Sequence, residues 1–128
     1  MFKFEDLKAL QVEITTNCQA SCPMCMRNVY GGLENPYLIK DSWTIDEFKS
    51  IINEEVLENL VYILLCGQYG DPLINSDLQE ICQYIVSVNP NIFLVIHTNG
   101  SLRSEDWWRQ LDRKSTRLNS SHTDISRM

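Results

Sequence analysis

A chain of 128 residues with 44% hydrophobic content and a mean hydropathy of -0.21 has room for one globular domain. No apolar run approaches the ~18 residues of a membrane span, the start Met-Phe-Lys-Phe-Glu-Asp lacks a signal peptide's apolar stretch, and a net charge of -6 is wrong for a nucleic-acid surface. Five cysteines, an odd and clustered set, do not form a disulfide framework and predict a reducing, cytoplasmic setting.

Leu10-Gln-Val-Glu-Ile-Thr-Thr16 alternates apolar and polar residues, predicting a first strand with two different faces. It runs directly into Cys18-Gln-Ala-Ser-Cys22-Pro-Met-Cys25. Met26 to Asp41 contains Gly31-Gly32 and Asn35-Pro36, so loop is expected there. Thr44-Ile-Asp-Glu47 matches a capping box, in which hydroxyl and carboxylate each satisfy the other residue's free amide. Trp43 and Phe48 sit at the flanking staple positions, and Phe48, Ile51, Ile52 and Val56 continue one apolar helical face.

Leu60-Val-Tyr-Ile-Leu-Leu-Cys66 is a continuous apolar run, expected as a second strand buried on both faces. After Gly67-Gln-Tyr-Gly-Asp-Pro72, Ser76 with Gln79 resembles a second capping box. Leu78, Ile81, Cys82, Ile85 and Val86 then form one helical stripe, ended by Asn89-Pro90-Asn91. Ile92-Phe-Leu-Val-Ile96 predicts a third strand closing at His97-Thr-Asn-Gly100, and Ser104 starts a third helix bearing Trp107, Trp108 and Leu111. The order is β-α-β-α-β-α with parallel-type strands, an α/β fold. Each chemically suggestive stretch directly follows a strand, where α/β folds build their sites.

Asp112-Arg-Lys-Ser-Thr-Arg-Leu-Asn-Ser-Ser-His122 has no apolar periodicity and reads as a polar tail. It resembles the in-frame translation of a common sequencing-library adapter, and Ile125-Ser-Arg-Met128 resembles adapter sequence beyond it. The expected organisation is a core domain over 1–111 and an adapter-derived, disordered tail over 112–128. His122 then leaves the candidate ligands, and the remainder is more acidic than the whole.

Three thiolates on one short loop can hold three corners of a [4Fe–4S] cube and leave the fourth iron open. A structural zinc site is the ordinary reading of a Cys-rich loop, but zinc takes four ligands, usually as two separated pairs. No second pair is apparent, because Cys66 and Cys82 lie far off in apolar runs where a buried, inert cysteine is the norm. Iron–sulfur is therefore favoured. A non-enzymatic iron–sulfur or zinc module, and an inert truncated fragment, stay open as alternatives.

With its Cys18-x3-Cys22-x2-Cys25 spacing between a strand and βα units, the chain resembles the radical S-adenosylmethionine (SAM) enzymes. The resemblance covers most of Leu10–Leu111, about half of that family's barrel. It points to the branch with molybdenum-cofactor cyclase-like and SPASM-containing enzymes. It implies the N-terminal half, three βα units, of a partial (βα)6 TIM-like barrel.

The resemblance implies that Cys18, Cys22 and Cys25 each ligate one iron, with SAM chelating the open iron through its amino and carboxylate groups. Tyr69-Gly70-Asp71-Pro72 stands where the family has Gly-Gly-Glu-Pro, the segment that receives the SAM amino group. Asn99 of Thr98-Asn99-Gly100 stands at a SAM-pocket position. Reductive cleavage of SAM would give a 5′-deoxyadenosyl radical that takes hydrogen from an unknown small molecule or peptide. Partners would include an external one-electron reductant, but no nucleic acid and no membrane. No side chain is assigned a catalytic role, and the half barrel alone is expected to be inactive.

Two departures stand out. Met24 replaces an aromatic residue near the adenine, and Tyr69 replaces a glycine, with Gly67 nearby. Further residues carry paired readings. Glu13 is a lumenal carboxylate or a half-exposed strand residue. His97 is a ligand, a proton donor or a plain strand end. Arg27 is a contact to the cluster or the SAM carboxylate, or a surface ion pair.

Overall fold

The computed structural model describes residue 1 and residues 3–114; the 115–128 part of the polar tail lies outside the described residues. Strands β1 (Ala9–Val12), β2 (Tyr62–Leu65) and β3 (Phe93–Ile96) form one parallel sheet in the order β1-β2-β3. The register is unstaggered: Ala9, Tyr62 and Phe93 share the first row, and Val12, Leu65 and Ile96 share the last. The connections carry helices α1 (Ile45–Ile51) and α2 (Glu54–Asn59), then α3 (Leu78–Val88), and α4 (Glu105–Lys114) follows β3. The end of α4 lies beyond the boundary expected at residue 111.

The core lies between one sheet face and the helices. Leu10, Val12, Ile63, Leu65, Leu94 and Ile96 share that face by register, and they pack with Phe48, Leu57, Leu78, Ile81, Ile85 and Leu111. β2 departs from the two-sided burial expected of it. Ile63 and Leu65 are fully buried, while Tyr62 and Leu64, on the opposite face, are half-buried. On that opposite face Tyr62 stacks on Phe93 at 5.8 Å between ring centroids.

The Thr44 capping box forms as read from the sequence, with Glu47 N–H donating to Thr44 Oγ1 at 3.3 Å and Thr44 N–H to Glu47 Oε2 at 2.8 Å. The Thr44 backbone N–H on its carboxylate holds Glu47 below the usual range. That stabilisation is fully present above the ordinary glutamate pKa and is lost as pH falls through the lowered one. The single helix expected beyond it is two. The chain breaks at Ile52, and Asn53 caps α2 by accepting from Val56 N–H at 3.0 Å. The break leaves Ile51, expected on the apolar face, 53% exposed.

The second capping box does not form. Asp77, not Ser76, is the α3 N-cap residue, and its carboxylate instead accepts Ile45 N–H at 3.0 Å, joining α3 to α1. Ser76 donates to that same carboxylate at 2.9 Å.

Because Ile63 is buried in the central strand while Leu33 is 86% exposed, Ile63→Ala should lower unfolding free energy by about 2–5 kcal/mol. Leu33→Ala should change it by less than about 0.5 kcal/mol in the same urea titration.

Candidate functional site

Since Val12, Leu65 and Ile96 lie level, the loops that follow them leave the sheet side by side. One residue, Asp71, ties these loops together. Its backbone N–H donates to Asn17 O at 2.8 Å, reaching the loop after β1. Its carboxylate, buried at 4% exposure, accepts from Thr98 Oγ1 at 2.8 Å on each oxygen and from Asn99 N–H at 2.8 Å, reaching the loop after β3. Leu73 N–H adds a fourth contact at 2.9 Å. A buried carboxylate costs several kcal/mol unless its oxygens find donors, and here they do.

Glu13, a half-buried carboxylate one residue past β1, is occupied by backbone donors. Its Oε1 accepts Tyr69 N–H at 2.8 Å and Gly70 N–H at 2.9 Å, folding the loop after β2 back over the end of β1. Two glycines make that fold possible. A Cβ at Gly70 would lie 1.8 Å from Thr15 O, and one at Gly67 would lie 2.4 Å from Gly70 O and 2.7 Å from Glu13 Oε1. Gly67 thus supplies the backbone approach that Tyr69 withholds.

Arg27 contradicts the surface reading. It is 4% exposed and donates from Nη1 to Thr16 O and to Tyr69 O, the latter at 3.2 Å, while Nη2 pairs with Glu34. Lys40 also meets Glu34, at 2.5 Å, and the lysine hydrogen bond leads the causes that hold this carboxyl below its usual range. Arg27 therefore staples the cysteine-bearing segment onto the loop after β2. The following excursion is closed by an antiparallel bridge between Asn28 and Glu34, with Tyr30 and Gly31 at positive φ in its turn.

On the cysteine loop, Cys18 and Cys25 are half-buried and Cys22 is exposed; all three are free thiols. Cys25 N–H donates to Cys22 O, and Asn28 N–H to Cys25 O, each at 3.0 Å. The Cys18 sulfur receives Ala20 N–H at 3.4 Å and Asn99 Nδ2 at 3.7 Å. Among the described residues no three His, Cys, Asp or Glu side chains converge as the ligands of one ion would. A cube takes each thiolate at a different iron, so its ligands stay apart. Three thiols on one loop, with N–H donors already aimed at Cys18, suit that group.

Cys66 and Cys82 stand apart from this set. Burial pushes the Cys82 thiol up to about 12, and it packs in the core stripe of α3. Burial first, then Glu13 and Asp71, push the half-buried Cys66 up as well. His97 is exposed; its backbone N–H extends the ladder to Leu65 O at 3.0 Å, and no hydrogen bond to its ring occurs among the described residues.

Of the expected SAM-contact residues, Tyr69 and Gly70 have their N–H groups taken by Glu13, and Tyr69 O is taken by Arg27. The Asp71 carboxylate faces its own hydrogen-bond partners. The Gly70 carbonyl accepts no hydrogen bond among the described residues and lies 2.4 Å from where a side chain at 67 would begin. Sequence reasoning gave no role to Gln19 or Ser101, although Gln19 Nε2 donates to Asn99 Oδ1 at 2.9 Å and meets Ser101 Oγ. Polar residues beside a cysteine and after a glycine turn were the available signal.

The family model for the radical SAM superfamily matches residues 12–126. Among solved structures, the crystal structure of BtrN in complex with AdoMet and 2-DOIA is similar in fold, with a TM-score of 0.67 and 18% identity. The match covers 84% of this chain and 42% of that chain, so this chain spans less than half the neighbour's length. No curated protein matches.

The Gly70 contact implies that Gly70→Ala must displace the loop after β2 from Thr15. We expect a loss of about 1–3 kcal/mol in urea unfolding, as for overpacked sites. Thiol accessibility gives a separate check. Iodoacetamide under native conditions should modify Cys22 first and Cys82 only with unfolding, read by mass mapping.

Proposed function

This chain belongs to the radical SAM superfamily, and on that premise we propose that Cys18, Cys22 and Cys25 hold a [4Fe–4S] cluster whose open iron takes SAM. The family uses that cluster and SAM, and the three parallel βα units match the N-terminal part of its partial TIM-like barrel. The observation that carries the assignment is the Asp71 junction, which sets the cysteine loop, the Gly67–Pro72 loop and Asn99 at one sheet edge.

When bound, the cluster and SAM would supply one-electron radical chemistry on a substrate. The residues of this chain hold and orient. The thiolates would hold the cluster, and the Gly70 carbonyl would offer an acceptor to the SAM ammonium, because a carbonyl accepts where an ammonium only donates. Glu13, Arg27 and Asp71 shape that acceptor without touching it: they occupy the neighbouring N–H and C=O groups and leave this one. In this reading Tyr69 and Asp71 act through the backbone geometry they set.

Within the superfamily we place the chain nearest the molybdenum-cofactor cyclase-like and SPASM-containing branch, on the overall resemblance of its sequence. The substrate is a small molecule or a peptide, and an external one-electron donor supplies the reductant. Among the described residues no helix is long and apolar enough to cross a membrane.

Anaerobic reconstitution of the full chain with iron and sulfide should give a cluster visible by absorption and, after reduction, by electron paramagnetic resonance. Replacing Cys18, Cys22 or Cys25 with Ala should each abolish it, while Cys66→Ala and Cys82→Ala should retain it. SAM should perturb the spectrum of the reduced cluster. A cluster that survives loss of any of the three loop cysteines would refute the assignment.

A further inference from the structure

Asn99 is held more rigidly than a turn residue needs. Its backbone N–H is fixed by Asp71 Oδ2, and the preceding Thr98 hydroxyl by both Asp71 oxygens. Its side-chain Oδ1 accepts Ser101 N–H at 3.0 Å, the Ser101 hydroxyl at 2.7 Å and Gln19 Nε2 at 2.9 Å. A backbone N–H can only donate, so the atom facing Ser101 must be the amide oxygen. The flip of this side chain is thereby determined, and Nδ2 faces the Cys18 sulfur at 3.7 Å.

We propose that Asn99 is a positioning residue that donates a hydrogen bond to the Cys18 thiolate and so sets how readily the cluster on this loop accepts an electron. The inference rests on the assignment of Cys18, Cys22 and Cys25 as cluster ligands, and it gives Asn99 a partner other than SAM. The physical basis is charge. An added electron increases negative charge on the ligating sulfurs, so an N–H donor there favours the reduced form more than the oxidised one. Asp71 is the anchor of this donor: the residue that ties the loops also fixes the Asn99 backbone from which the amide reaches sulfur.

The test uses the reconstituted full chain and a redox titration followed by electron paramagnetic resonance. Asn99→Ser keeps a short oxygen for the Ser101 N–H but cannot reach Cys18. Asn99→Asp keeps the shape and the acceptor and replaces the donor with an anion. Both should shift the cluster to more negative potential, by about tenfold in the reduced-to-oxidised ratio for Ser, about 59 mV for one electron, and by more for Asp. Cluster content or thermal midpoint falling at unchanged potential would show a merely structural role and overturn the proposal. Should the Ser variant fail to fold, the Asp variant decides alone by the same criterion. Failure of the unsubstituted chain to load a cluster would instead refute the ligand assignment itself.

Discussion

The site depends on one buried carboxylate. Asp71 takes its backbone partner from the loop after β1 and its side-chain partners from the loop after β3, while itself lying in the loop after β2. Parallel strands in flush register bring three loops to one edge, but register alone does not fix loop conformation. A carboxylate buried against neutral donors does, since losing any one of them leaves a polar group unpaired at roughly 1–3 kcal/mol. Glu13 and Arg27 extend the same constraint by consuming the N–H groups of Tyr69 and Gly70 and the Tyr69 carbonyl. The backbone of the Gly67–Pro72 loop thus has few groups left to offer a ligand, and Gly70 O is one of them.

What could be read from the sequence follows the range over which each signal acts. The three strand segments, the Thr44 cap and the α3 stripe are local patterns, and all appear in the structure. The cysteine spacing is local too. Roles that depend on partners far along the chain were not readable. Glu13 meets residues 56 and 57 positions away, and Gln19 meets Asn99 at 80. Arg27 and Asp71 look like surface residues by type, and only the fold makes them interior. The two helix errors have different causes: Asn53 caps α2 through its own side chain, whereas Asp77 makes no side-chain cap bond and turns its carboxylate to Ile45 N–H, a partner far along the chain.

Burial on β2 reflects the same fold. A strand in a closed, filled barrel is covered on both faces, and the apolar run at Leu60–Cys66 is written for that environment. In this structure the helices cover only the Ile63 and Leu65 face. Tyr62, Leu64, Phe93 and Val95 share the other, and the stack of the half-buried Tyr62 on the exposed Phe93 lies where a barrel has its interior. Glu13, Cys66 and His97, each one residue past the last paired row, continue the strands toward the loop edge. The inner face therefore changes along the strand axis from aromatic to ionisable.

That gradient and the charge around the cysteine loop bear on what a cluster there would do. Potential falls with negative charge nearby and rises with hydrogen bonds to sulfur. The chain is acidic overall, and the buried cation beside the loop, Arg27, is paired with Glu34. These features would push a cluster held there toward low potential, as one-electron reduction of a sulfonium demands. The N–H groups of Ala20 and Asn99 at Cys18 act in the opposite sense and only at one sulfur. A single side-chain donor can therefore trim the potential without reversing it. Because that donor is mounted on the Asp71 junction, the conformation of the Gly67–Pro72 loop and the electron affinity of a cluster held by Cys18 would share one physical support.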